Sequence, residues 1–279
     1  MSNNWRFSVC QNCSQQEINN QNNYIKEMDD TYSSPIDIFY KTKNEILWLG
    51  KPENISANLI LADLLLVGIM SATEKYFRDL FAALISICPV SREVASNQSI
   101  SISSVLWSKK YGLKRGIFEN LSFADKKTII SACKTYLGYE IQKSDLAYAM
   151  LDSYEKVCQI RHCIVHAGSY WSSKNAINFG INSRENEIKV NINFDNLQEC
   201  IAICTNLVIC FNLDLFELMS KRWAIDWRRR CDWQIDAANR RFNDIWDVFY
   251  SNIDSELGVI ECSITRLKCM RQVQSTYQI

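Results

Sequence analysis

The 279-residue chain is poor in the residues that interrupt secondary structure, with only three prolines and eight glycines. Together they make up about 4% of the chain, whereas a share of roughly 12% is usual. This scarcity favours long helices and excludes collagen-like, linker-like and disordered classes. The formal net charge is zero, from 31 basic and 31 acidic residues, so attraction to a polyanion would require a local basic patch.

Histidine is also scarce, and the chain lacks a long apolar run. The only two histidines are His162 and His166. The longest apolar stretch, residues 59–70, is well short of the roughly 20 residues that span a bilayer and contains Asp63. We therefore expect no membrane partner and interpret the stretch as a core helix.

Cysteine, in contrast, is plentiful, with twelve residues. The N-terminal segment has no apolar run after a basic segment, so we expect no secretory signal, a cytoplasmic location and free thiols. Cys10 and Cys13 form the one CxxC pair, but a zinc site needs two further ligands and the sequence offers only the two histidines, so no metal site is predicted. Six cysteines lie among apolar residues and are expected to be buried: Cys88, Cys133, Cys158, Cys163, Cys204 and Cys210.

Apolar periodicity and helix-capping residues predict a mainly α fold. Helices are expected over residues 56–88, 122–138, 144–166 and 195–219, beginning at Ser56, Ser122, Ser144 and Asp195, and a further helical pattern covers residues 221–250. Residues 36–40 look extended, residues 90–112 look like a loop, and alternation on both sides of a polar turn predicts a small β-hairpin near residues 175–194. The predicted organisation is an N-terminal extension (1–55), a helical bundle (56–220) and a helical C-terminal extension (221–279).

The end of the third predicted helix carries the strongest chemical pattern in the sequence. Three residues separate the pair Arg161 and His162 from His166, and Gly168 lies just beyond. Five helical steps separate the side chains of Arg161 and His166 by roughly 140°. They can therefore reach one ligand only at the end of the helix, or with a second copy of the chain completing the site.

This segment resembles the R-x4-6-H motif of the HEPN superfamily, helical domains found in many prokaryotic defence and toxin ribonucleases. The motif covers six residues, and the wider resemblance covers about residues 56–220. It implies a four- or five-helix HEPN-like bundle that dimerises so that two motifs share one cleft. The implied activity is metal-independent RNA cleavage by attack of the ribose 2′-hydroxyl, which leaves 2′,3′-cyclic phosphate ends.

The resemblance also implies roles and partners. His166 would act as general acid or base and Arg161 would stabilise the charge on the phosphorane, while His162 would orient the site or bind phosphate. The substrate would be RNA, of transfer or messenger type, with no cofactor. A second copy of the chain and an inhibitor or sensor protein would be its protein partners, in an antiphage or toxin-type system.

Two further groups are candidates for supporting roles. Glu74 and Arg78 lie on the helix that resembles the early HEPN helix, where a polar residue can reach the motif; they could equally form an ordinary i, i+4 ion pair. Residues 221–241 carry a net charge of +4 interleaved with tryptophans. An RNA-contacting surface there would use Arg228, Arg229, Arg230 and Trp227, although tryptophans at this spacing also suit a core.

Other functions remain open at this stage. Arginine and histidine at a helix C-terminus also interact favourably with the helix dipole, without any catalytic role. The chain could then be a catalytically inert RNA-binding or protein-interaction bundle. Nucleotide-binding loops, a Rossmann fingerprint and the G-x-S-x-G motif of hydrolases are all missing. Cys163 lies beside both histidines, but its apolar neighbours favour an unreactive thiol.

Overall fold

A computed structural model describes residues 14–26, 33–107, 116–182, 185–230, 233–234, 237–260 and 264–279. The chain divides into two compact units, Met1–Tyr32 and Ser33–Ile279. In the described part of the first unit, Gln21–Tyr24 forms one turn of 3₁₀ helix, and the side chain of Asn20 accepts a hydrogen bond from the amide of Asn22. Cys10 and Cys13 lie outside the described residues.

The second unit is mainly helical. Its described helices are α1 (Pro35–Leu49), α2 (Pro52–Ala57), α3 (Leu59–Ile87), α4 (Pro89–Ala95), α5 (Ile102–Trp107), α6 (Lys126–Ala132), α7 (Leu146–His166), α8 (Ser173–Phe179), α9 (Phe194–Ala224), α10 (Ala238–Phe249), α11 (Asn252–Glu256) and α12 (Arg266–Tyr277). A π-helical turn, Cys133–Leu137, extends α6, and a 3₁₀ turn, Trp227–Arg229, follows α9. The sequence-based prediction of a mainly α fold is confirmed.

The few prolines and glycines lie where helices begin and end. Each of the three prolines, Pro35, Pro52 and Pro89, opens a helix, where its missing amide hydrogen costs no hydrogen bond. Gly138 ends the π-helical turn with φ of +61°, a left-handed conformation that glycine adopts without steric penalty. Their rarity elsewhere lets α3 and α9 run for 29 and 31 residues.

The core lies among the four longest helices. Helices α1, α7 and α9 all pack against α3, and α7 also packs against α9. Phe77 of α3 is central: its ring contacts Phe81, Phe123 and Phe211, with ring centroids 5.0–5.9 Å apart. The six cysteines that the sequence placed among apolar residues are all buried free thiols, as predicted. Helix α9, predicted to end at residue 219, continues to Ala224, and the helical pattern predicted over residues 221–250 is interrupted, since α10 begins at Ala238.

Helix α9 is the one described helix that is long and apolar enough, by composition alone, to cross a membrane. In this fold it is a core helix. Its residues Leu207, Val208 and Phe211 are buried, and the carbonyl of Val208 accepts a hydrogen bond from the hydroxyl of Tyr76 at 3.1 Å.

Two local predictions for the N-terminal half were wrong. Residues 36–40, expected to be extended, lie in α1, because Ser34 caps the helix by accepting from the amide of Asp37 and Pro35 presets the first turn. The loop expected at residues 90–112 contains α4 and α5 in its described part. Helix α4 begins directly at Pro89, which the sequence placed only as the end of the preceding helix.

The β-hairpin predicted near residues 175–194 is not found, and the described residues contain no strand. Residues 173–179 form α8 instead, because the Ser172 hydroxyl caps the helix through the amide of Asn175 and Gly180 closes it with φ of +96°. Both caps outweigh the short alternation of apolar residues. In this region the backbone forms one isolated antiparallel β-bridge, between Tyr170 and Lys189.

All four helix starts shift by one to three residues from the predicted caps. The observed N-terminal caps of α3, α6, α7 and α9 are Asn58, Asp125, Asp145 and Asn193, and Ser56 lies in the short helix α2 instead. Asp125 caps α6 by accepting from the amide of Thr128 at 2.8 Å. At α9, Asn193 and Asn196 form a reciprocal capping box.

Candidate functional site

The candidate site lies where α7 ends. His166 is the last residue of the helix, and the carbonyl of Cys163 accepts hydrogen bonds from the amides of Ala167 and Ser169, both at 3.0 Å. Gly168 and Ser169 then have φ of +59° and +67°. The position of the helix end, predicted from Gly168, is confirmed.

A polar contact fixes this turn to α3. The hydroxyl of Ser169 donates to the carboxylate of Asp63 at 2.9 Å. Left-handed backbone is strained for a serine, so this bond and the amide bond to Cys163 hold the turn in place. The start of α3 and the turn after α7 are therefore joined by a hydrogen bond, and they meet at one corner of the protein.

The two histidines lie together at this corner. His162 and His166 are one helical turn apart, both are exposed, and their ring centroids are 4.8 Å apart at an interplanar angle of 51°. A positive charge on His166 at this distance disfavours a second positive charge on His162. The pair places two imidazole groups within reach of a single ligand.

Two further cations lie near His162. Arg161 is part-buried beside His162 and forms no ion pair with a carboxylate of the described chain. Lys174, exposed on α8, is close enough for its charge to act on His162. Burial, and then the positive charges of His166, Arg161 and Lys174, lower the pKa of His162 below its usual value. The cluster has the charge and exposure of an anion-binding site.

Lys174 is the member of the cluster that sequence reasoning missed. It lies eight residues after His166, immediately before the segment that was expected to form a hairpin. The pattern that could have identified it is the Ser172 cap followed by a short helical turn, which folds α8 back against α7.

Glu74 and Arg78 do not support the motif, which corrects that prediction. The carboxylate of Glu74 accepts from the amide of Phe123 at 3.1 Å and from Arg78 at 3.3 Å. Arg78 also donates to the carbonyl of Leu121 at 2.9 Å. Both side chains are engaged in holding residues 121–123 against α3. Asp63 marks where α3 meets the end of the motif helix. At a rise of 1.5 Å per residue, Glu74 and Arg78 lie about 16 Å or more along α3 from Asp63.

The predicted RNA-contacting surface after α9 also needs correction. Trp227 is completely buried, so its ring cannot stack on a base. The guanidinium of Arg228 lies over the rings of Trp223 and Trp233, at 5.0 and 5.3 Å from their centroids, and Arg230 pairs with Glu93 at 2.9 Å. Of the four predicted residues, only Arg229 is exposed. Packing explains most of this tryptophan-rich segment.

Cys163 lies beneath the histidines on the buried side of α7. Its sulfur accepts a hydrogen bond from the side-chain amide of Asn175 at 3.4 Å. A completely buried thiol is not available as a nucleophile. Within the described residues, no three His, Cys, Asp or Glu side chains are grouped to hold a metal ion.

A cavity of about 580 Å³ lies away from the histidines, between α1, α9, α10 and α11. Aromatic side chains form much of its wall: Tyr40, Phe216, Trp246, Phe249 and Tyr250. Its polar groups largely bond to one another, since Asn212 donates to the carbonyl of Phe249 at 2.9 Å and Tyr40 bonds to Asp254. None of the predicted catalytic residues lines it.

Comparison with known proteins gives no match: no protein-family model, no curated protein and no solved structure is similar to this chain.

Proposed function

We propose that the chain is a metal-independent endoribonuclease of the HEPN type. The observation that carries this proposal is the exposed cluster at the end of α7, where Arg161, His162 and His166 lie together with no carboxylate paired to Arg161 in the described chain. Cleavage of RNA at the 2′-hydroxyl requires a base, an acid and a cation at one phosphate, and this cluster contains all three types of group.

The facing imidazoles can divide the two proton transfers. His162, whose pKa is lowered, is uncharged near neutral pH and can accept the proton of the 2′-hydroxyl. His166 can then protonate the leaving 5′-oxygen. Arg161 donates hydrogen bonds to the non-bridging oxygens of the phosphorane, where charge accumulates. The products carry 2′,3′-cyclic phosphate and 5′-hydroxyl ends.

A second copy of the chain would complete the cleft. Three apolar side chains beside the cluster support this part of the proposal, because Val165 on α7 is 43% exposed and Ile60 and Leu64 on α3 are 66% and 63% exposed. Ile60 and Leu64 flank Asp63, which bonds the turn after the motif. Exposed apolar groups clustered around a polar site are typical of an interaction surface.

The direct test is cleavage of 5′-labelled single-stranded RNA and transfer RNA by the purified chain in EDTA. We expect cleavage with cyclic phosphate ends, identified by mass spectrometry. Removing one catalytic group typically costs about 10²–10⁴-fold, so His166→Asn and Arg161→Gln should lower the rate at least 100-fold.

The matched control is Arg271→Gln, which removes an exposed cation from α12 and should leave the rate unchanged. All variants pass through the same purification, which excludes a contaminating nuclease. Unchanged cleavage by His166→Asn would contradict the proposal. Retention of RNA without cleavage would favour the alternative, an RNA-binding bundle.

A further inference from the structure

The bridge that follows the motif holds a tyrosine at the surface. Tyr170 pairs with Lys189, and two backbone hydrogen bonds support the pairing: Trp171 donates to the carbonyl of Ile188 at 3.0 Å, and Val190 donates to that of Ser169 at 2.7 Å. The ammonium of Lys189 lies 4.3 Å from the centroid of the Tyr170 ring. The tyrosine is nevertheless 42% exposed. One face of the ring therefore contacts a cation while much of the side chain remains open to solvent.

The left-handed turn after α7 brings the backbone of Tyr170 next to the end of the motif. The amide of Tyr170 donates to the carbonyl of Ala167, the residue after His166, at 3.0 Å. The chain reaches this arrangement through two successive left-handed residues, one of them Ser169. Such backbone strain costs free energy and persists only where the surroundings fix it, here through Asp63. These bonds thus hold the backbone of Tyr170 beside Ala167, the residue that follows His166.

We propose that Tyr170 is the stacking platform for an unpaired base next to the scissile phosphate, and that the substrate is therefore single-stranded RNA. Aromatic side chains stack on bases that are free of a duplex, and neighbouring cations bind the backbone. Lys189 on the ring and Lys174 beside His162 supply those cations. The inference rests on the proposed ribonuclease function and deepens it by naming the form of RNA.

Binding is measured without cleavage in the His166→Asn background, by fluorescence anisotropy of a labelled single strand of about 12 nucleotides. Stacking on one aromatic ring typically contributes enough that Tyr170→Ala should weaken binding about 10-fold. Tyr170→Phe keeps the ring and should bind as the parent does. Tyr170→Leu keeps apolar surface without a π-system and should resemble the alanine variant. A duplex of the same sequence should bind more weakly and respond less to these changes.

The matched control is Tyr148→Ala. This tyrosine also carries a lysine over its ring, with the ammonium of Lys126 at 3.5 Å from the centroid, but it lies about 27 Å along α7 from His166. Its removal should leave RNA affinity unchanged. Thermal unfolding of all variants is measured to check that each one folds.

Two results would overturn the inference: equal affinity of the parent and Tyr170→Ala for the single strand, or equal affinity of the leucine and phenylalanine variants. Failure of the ribonuclease proposal looks different. In that case the chain with both histidines leaves RNA intact, yet binding still depends on the ring of Tyr170. Cleavage that depends on His166 but proceeds equally fast without the Tyr170 ring would retain the ribonuclease and reject the platform.

Discussion

Arg222 is a buried cation near the end of α9, and replacing it tests whether the basic C-terminal segment serves the fold. Its guanidinium donates to the carbonyl of Leu137 at 2.8 Å, to the hydroxyl of Ser91 at 3.1 Å and to the carbonyl of Gly138 at 3.3 Å. No carboxylate of the described chain pairs with it. The cation instead binds the carbonyl end of the π-helical turn, where the helix dipole is negative.

The expected loss on Arg222→Leu follows from these bonds. Hydrogen bonds from charged donors contribute about 1.5–3 kcal/mol each, and losing them leaves buried carbonyls unpaired. Leucine recovers part of this loss, because it has no charge to desolvate and adds apolar contact. We expect a net fall of about 3 kcal/mol in the free energy of unfolding. For a domain of this size the midpoint of thermal unfolding should fall by about 6–12 °C.

The assay is urea unfolding followed by circular dichroism, with Arg229→Leu as the control. Arg229 lies in the same basic segment but is exposed, so its replacement should change stability by no more than about 0.5 kcal/mol. Arg222→Lys keeps the charge without the planar fork and should fall between the two. If Arg222→Leu is as stable as Arg229→Leu, the buried network contributes nothing and our account of the segment is wrong.

Two further predictions concern the motif and its surroundings. In NMR titrations, His166→Asn should raise the pKa of His162 towards its usual value, because a positive neighbour is removed; a fall, or no change, would contradict the coupling between the rings. If the chain dimerises through the surface beside the motif, Leu64→Glu should convert the dimer into monomers, as measured by light scattering. Leu146→Glu is the control, because this leucine is equally exposed but lies at the far end of α7, and it should leave the dimer intact. A chain that is monomeric without substitution would contradict the shared cleft.

The sequence was most informative about α7. The spacing of its apolar residues and the position of Gly168 were enough to place Arg161, His162 and His166 at a helix end, because local geometry alone determines that outcome. Lys174, Tyr170 and Lys189 could not be assigned to the same corner, since their approach depends on a turn fixed by Asp63, about 100 residues away in sequence.

The C-terminal segment, in contrast, could not be interpreted from the sequence alone. Tryptophan and arginine at helical spacing suit both a surface that binds RNA and a packed interface, and only tertiary structure distinguishes them. Trp227 proved to be fully buried, and Arg228 lies against two tryptophan rings. The hairpin prediction failed for a related reason: before the polar turn the alternation includes only Ile177, Phe179 and Ile181, and there capping by Ser172 and Gly180 stabilises a helix instead of a strand.

The facing imidazoles have a consequence for inhibition. Two histidine rings one turn apart on an exposed helix form a bidentate ligand for Cu²⁺, Ni²⁺ and Zn²⁺, ions that imidazole prefers. A bound ion would occupy the nitrogens that proton transfer requires. Mg²⁺ prefers oxygen ligands and would leave the rings free. The proposed ribonuclease should therefore be inhibited by traces of these transition metals and reactivated by a chelator.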